Sequence, residues 1–123
     1  MDVPELRVTP GADTTVRYAG ASGDFNPIHL DDDFARSVGL PGKILHGLWT
    51  MAQVARAQTE AGGGPAALKR LSVQFRGLGL PGEEIVVTST VREEADGRAT
   101  VDTEAVQGDR RLIRRGVAEL ELG

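Results

Sequence analysis

The run Leu48-Trp49-Thr50-Met51-Ala52-Gln53-Val54-Ala55-Arg56-Ala57-Gln58-Thr59-Glu60 decides how this chain is read. It contains no proline or glycine, and Leu48, Met51, Ala52 and Ala55 recur at i, i+3, i+4 and i+7. That spacing predicts a helix with one apolar stripe. Gly62-Gly63-Gly64-Pro65 follows after Ala61 and supplies the stop, since neither residue type favours continuing a helix. Ala52, Ala55 and Ala57 are small enough to let a sheet approach closely.

Downstream the apolar period changes to two. Leu71, Val73 and Phe75 alternate with Ser72, Gln74 and Arg76, the pattern of a half-buried strand. Gly77 to Gly82 form a loop closed by Pro81-Gly82. Ile85 to Arg92 are dense in valine and threonine, which suit a strand, and Asp96-Gly97 supplies a hairpin turn. Ala99, Val101, Thr103 and Ala105 alternate again up to Val106, and Gln107-Gly108-Asp109 turns the chain once more. Leu112 to Leu122 closes the meander, with Ala118, Leu120 and Leu122 on one face. We expect three or four consecutive antiparallel strands. Upstream, Asp32 to Val38 forms a short helix: Asp31, Asp32 and Asp33 place negative charge in its first turn, and Gly39 ends it. Residues 11 to 19 are weaker helix material, because Thr14-Thr15-Val16 is a poor propensity run. One long helix laid across a curved antiparallel sheet makes an α+β domain.

The 123 residues fit a single domain, 1–123, with a core large enough to need no disulfide or metal staple. The absence of cysteine excludes a zinc–thiolate site and a cysteine nucleophile, and two histidines exclude a three-histidine metal centre. A net charge of -4 and 4% aromatics argue against nucleic acid as partner, which would call for a basic surface and stacking rings. Met1-Asp2-Val3-Pro4-Glu5 has no secretory pattern, and no run approaches a membrane span. The expected location is the cytoplasm.

Chemistry concentrates in Ser22-Gly23-Asp24-Phe25-Asn26-Pro27-Ile28-His29. The residue before a proline is pushed out of the α region, so Asn26-Pro27 sets a rigid turn between Asp24 and His29. Their side chains can therefore converge, and a carboxylate beside an imidazole can move protons near neutral pH. Loop Asp and Asn also commonly hydrogen-bond their own backbone, so spacing alone leaves both readings open. A metal reading is weaker, because one histidine and scattered carboxylates show no ligand spacing. His46-Gly47 immediately precedes the long helix. A backbone N–H there lacks an intrahelical partner and sits at the positive end of the dipole, and glycine lets a ligand carbonyl come close. An acid/base pair with such an N–H suits chemistry alpha to a carbonyl. His46 itself reads as a structural residue.

Tyr18-Ala19-Gly20-Ala21-Ser22-Gly23-Asp24-Phe25-Asn26-Pro27-Ile28-His29, followed by Ile44-Leu45-His46-Gly47-Leu48, resembles the MaoC-like dehydratases, or (R)-specific enoyl-CoA hydratases (hydratase 2). The resemblance runs from about Leu6 to Leu122 and is closest to short bacterial members. It implies a hot-dog fold, a long helix wrapped by an antiparallel sheet, that dimerises edge to edge. It further implies that Asp24 and His29 are a catalytic dyad adding water across a 2-enoyl thioester. Gly47 would bind the thioester oxygen through its N–H, and Asn26 and Ser22 would shape the active-site loop. The implied substrates are thioesters of coenzyme A or acyl-carrier protein; the implied assembly is a homodimer, or a heterodimer with a related hot-dog subunit. No cofactor and no metal is implied.

Two departures stand out. The family's Phe-Lys-x-Pro arrangement is Phe75-Arg76-Gly77-Leu78 here, which puts the substrate tunnel's shape in question. The family's N-terminal helix is replaced by the poor helix former Gly11 to Val16. Lys69, Arg70, Arg76, Arg110, Arg111, Arg114 and Arg115 would meet substrate phosphates or an acidic carrier, or else form a solvated strand edge. The rival functions are a non-catalytic thioester-binding or partner subunit and a hot-dog thioesterase.

Overall fold

The computed structural model describes residues 1–123. Its sheet has five antiparallel strands: β1 Leu6–Val8, β2 Leu68–Phe75, β3 Ile85–Ala95, β4 Arg98–Gln107 and β5 Arg110–Glu121. β3, β4 and β5 form the expected meander. The two-residue turn at Asp96-Gly97 has both residues at positive φ (55° and 75°), matching the right-handed twist of the strands it joins.

The expectation that the preceding strand joins this meander in sequence is corrected. The spatial order is β1-β3-β4-β5-β2, so β2 crosses over and pairs with β5 (Leu71 opposite Ala118, Phe75 opposite Ile113). The loop after Phe75 is a crossover rather than a hairpin: Gly77 leaves β2 so close to β5 that a Cβ there would lie 2.7 Å from the Arg111 carbonyl oxygen. β1, which alternation over three residues is too short to reveal, fills the other edge against β3.

Three helices complete the chain: α1 Thr14–Ser22, α2 Asp32–Ser37 and α3 Gly47–Gly62. α2 starts as expected, with the Asp31 carboxylate accepting from the N–H groups of Asp33 and Phe34. α1 corrects the reading of Gly11 to Val16 as helix-poor. Thr15 and Ala19, four apart, are both fully buried, and this packing outweighs the weak propensity of the threonines. Gly23, left-handed at φ 80°, ends α1 where a side chain would be strained.

α3 forms where expected but presents a different face to the sheet. Its buried residues are Thr50, Val54, Ala57 and Gln58, whereas Leu48 is 61% exposed and Ala52 is exposed. The stripe of Leu48, Met51, Ala52 and Ala55 is therefore largely an uncovered apolar face, with only Met51 reaching the core edge. Val54 and Ala57 pack with Leu45, Ile85, Val87, Ala105, Leu112 and Ile113, and a second cluster joins Val3 to Ala99, Val101, Ala118 and Leu120. Each fully buried branched side chain such as Val54 or Ile85 contributes ~1.5–3 kcal/mol. Between the clusters, Gln58 Nε2 donates to Ser89 Oγ, which is 3.0 Å from Thr103 Oγ1.

Candidate active site

The loop between α1 and α2 is held by a relay of side-chain bonds to its own backbone. Ser22 Oγ accepts from Asp24 N–H, Asp24 Oδ1 from Asn26 N–H, and Asn26 Oδ1 from Ile28 N–H, each at 3.2 Å. Asn26 is extended (φ -55°, ψ 126°) ahead of Pro27, and Pro27–His29 makes a single tight 3-10 turn. The backbone-bonding reading of these residues is thus realised, but it occupies only one oxygen of Asp24. The other, Oδ2, lies 3.7 Å from His29 Nε2.

His29 is buried, while the Asp24 side chain is 53% exposed. The His29 Nδ1–H donates to the Ile44 carbonyl at 2.8 Å. A carbonyl only accepts, so in the neutral ring Nε2 is left as the free base, facing Asp24. Ile44 is fixed in turn, since its N–H donates to the Ile28 carbonyl. One short two-way connection thus ties the dyad loop to the segment entering α3.

Gly47 is the first residue of α3, so its N–H has no acceptor within the helix. A Cβ on Gly47 would lie 3.2 Å from the Phe75 ring, so glycine here keeps room beside that ring. The structure brings Ser22, Asp24, Asn26 and His29 together in one loop, with Gly47 next in sequence to His46, whose ring touches that loop.

His46 is the residue the sequence reading undervalued. Its ring stacks on His29 with centroids 3.8 Å apart and planes 19° from parallel, and its Nε2 lies 3.1 Å from the Asp24 carbonyl oxygen. Tyr18 packs against the same ring at a tilt of 60°, with centroids 4.8 Å apart. The only sequence signal for this was position, directly before Gly47. Ligating atoms of Asp24, His29 and His46 lie within 4.8 Å of one another. Stacked rings hold their lone pairs in two nearly parallel planes, however, so a single ion at about 2.1 Å from both rings would lie well out of at least one plane. The arrangement suits proton transfer.

The basic residues divide. Arg110 pairs with Glu83 at 2.7 Å and Arg111 with Glu104 at 3.2 Å. Arg114 donates to Gln74 and is held below the ordinary guanidinium pKa by desolvation first, then by Arg76, Arg115 and Arg111. Around the site, Phe25, Leu48, Phe75 and Leu78 are 62%, 61%, 51% and 45% exposed.

The MaoC like domain matches residues 2–110. The chain belongs to the MaoC-like dehydratase family. Fatty acid synthase subunit beta from Aspergillus oryzae is 40% identical over 110 residues, which are 85% of this chain and 5% of that protein. Peroxisomal enoyl-CoA hydratase 2 from Arabidopsis thaliana is 40% identical over 67 residues, 53% of this chain and 22% of that one. This MaoC-like chain thus spans only a small part of either curated relative. Among solved structures, the (R)-hydratase from A. caviae involved in PHA biosynthesis superposes with a TM-score of 0.85 at 25% identity, over 100% of this chain and 98% of that one. The MaoC-like chain has the hot-dog fold, with α3 as the central helix.

Proposed function

We propose that this chain is a hydro-lyase that reversibly hydrates trans-2-enoyl thioesters of coenzyme A or acyl-carrier protein to (R)-3-hydroxyacyl thioesters. The observation that carries this reading is the 3.7 Å between Asp24 Oδ2 and His29 Nε2. It is too long for a direct hydrogen bond, yet short enough for one water to touch both groups. Membership of the MaoC-like dehydratase family and likeness to an enoyl-CoA hydratase 2 support the substrate class.

In this mechanism the held water loses a proton to the dyad as its oxygen bonds to the β-carbon. The alkene electrons move through the α-carbon onto the thioester oxygen, forming an enolate. The Gly47 N–H donates to that oxygen at the positive end of α3, where developing negative charge is favoured. The dyad returns a proton to the α-carbon. One water is consumed, nothing is oxidised, and dehydration retraces the same steps. Ser22 and Asn26 act by holding the loop that aims Asp24.

A second subunit, identical or related, completes the acyl pocket along β2. Two features support this: the eight-residue strand β2 is an edge with a neighbour on one side only, and exposed Phe75 and Leu48 flank Gly47. Of the seven basic candidates, Lys69, Arg70, Arg76, Arg114 and Arg115 have no carboxylate partner and are the ones left to meet substrate phosphates, whereas Arg110 and Arg111 are paired. No helix is long and apolar enough to cross a membrane, and a cytoplasmic site of action fits this reading.

The test is to mix purified protein with a short enoyl-CoA and a thiol reagent. Falling enoyl absorbance without free thiol supports hydration. Thiol release would indicate a thioesterase, and binding without turnover a non-catalytic subunit.

A further inference from the structure

We infer that His46 is a positioning residue of the dyad, a neutral imidazole that holds the ring of His29 and the main chain of Asp24 in register. The inference rests on the hydratase reading for its kinetic consequence, but its geometry stands alone. His46 is 97% buried by exposure (3% accessible) and touches both dyad members by different means. Its face covers the His29 ring at 3.8 Å, and its edge meets the Asp24 carbonyl oxygen at 3.1 Å.

Protonation follows from the partners. The Asp24 carbonyl can only accept, so Nε2 of His46 carries a hydrogen. Nδ1 is buried with no hydrogen-bond partner. A proton there would be a buried donor without an acceptor on a charged ring, which costs more than a buried lone pair. The neutral Nε2–H form is therefore the one the site accommodates. Its charge state matters to the dyad. A positive ring stacked at 3.8 Å would repel the imidazolium that His29 becomes on taking a proton, whereas a neutral ring presents its π face to that cation.

His46 also occupies the position just before α3, so it joins the dyad to the Gly47 N–H through one peptide bond. Tyr18 of α1 packs against His46 at a tilt of 60°, so three rings in contact tie α1, the dyad loop and the start of α3 together. Small displacements of such groups carry large rate penalties, because catalytic atoms act only near their productive geometry.

The experiment uses two substitutions and one spectrum. His46→Phe keeps a ring to stack but no donor; His46→Gln keeps a donor but no ring. Each is expected to lower kcat about tenfold to hundredfold with KM changed less than about threefold, the signature of a lost transition-state interaction. The chain has only 2 histidines, so NMR of isotope-labelled imidazole nitrogens shows two rings. We expect one neutral Nε2–H ring, absent from both variants, and a His29 spectrum displaced in both. A His46 ring in the Nδ1–H form, kcat within twofold of wild type in either variant, or an unmoved His29 spectrum in both would overturn the inference. If the variants fail to fold, the wild-type tautomer decides it. If wild-type protein hydrates no thioester, the hydratase reading fails separately, and the same spectrum still decides whether His46 is held as described.

Discussion

His29 Nδ1 and the Ile44 carbonyl oxygen are 2.8 Å apart, and this bond determines which imidazole nitrogen faces Asp24. It leaves Nε2 as the ring nitrogen that faces Asp24 Oδ2, 3.7 Å away. The division of labour within Asp24 is similar: Oδ1 is spent on the Asn26 N–H and Oδ2 is free.

Asp24→Asn keeps an oxygen for the Asn26 N–H but removes the carboxylate charge. We expect kcat to fall by about 10²–10⁴ with an unchanged thermal midpoint. His29→Ala should lose as much activity and also some stability, ~1–3 kcal/mol, because the buried Ile44 carbonyl loses its donor. Enoyl-thioester kinetics paired with thermal melts separate the two effects.

Gly47→Ala puts a methyl 3.2 Å from Phe75, a half-exposed ring that can move. The protein should fold, with kcat/KM reduced about tenfold or more as the oxygen-binding N–H is crowded. Adding Phe75→Leu should restore part of the loss. Equal kcat/KM in wild type and Gly47→Ala would remove Gly47 from the mechanism.

Gly116→Ala tests the sheet. A Cβ there meets the Thr103 carbonyl oxygen at 2.6 Å, and because that oxygen belongs to the main chain of the neighbouring strand, no side-chain movement relieves it. Chemical denaturation should show a loss of about 1–3 kcal/mol.

Leu48→Asp tests the assembly. Leu48 is 61% exposed in the first turn of α3, where an acidic residue favours the helix. The single chain should remain folded, while sedimentation shows a shift toward monomer because an uncovered apolar contact has been charged. An unchanged sedimentation profile would place the interface elsewhere.

What was legible in the sequence was whatever is local. The Asp96-Gly97 turn, the acidic first turn of α2 and the turn before Pro27 all depend on neighbours a few residues away, and the structure has them. The pairing of β2 with β5 depends on where a loop leads after Gly77, which alternation cannot encode. The face of α3 was misjudged because Leu48, Ala52 and Ala55 are apolar without being buried in this chain. Ser22, Asp24, Asn26 and His29 were identifiable as a cluster because one rigid loop carries them all. The part His46 plays was not, because it lies 22 residues from the Asp24 carbonyl that its Nε2 meets.

The central claim is that Asp24 and His29 exchange water at the β-carbon of a thioester. It is tested most directly by incubating (R)-3-hydroxyacyl-CoA with the protein in heavy-oxygen water and reading the recovered thioester by mass spectrometry. The account predicts label in the β-hydroxyl of the (R) substrate, none in the (S) substrate, and labelling of the (R) substrate slowed by about 10²–10⁴ with Asp24→Asn. An unlabelled (R) thioester recovered from folded wild-type protein, or equal labelling by Asp24→Asn, would contradict it.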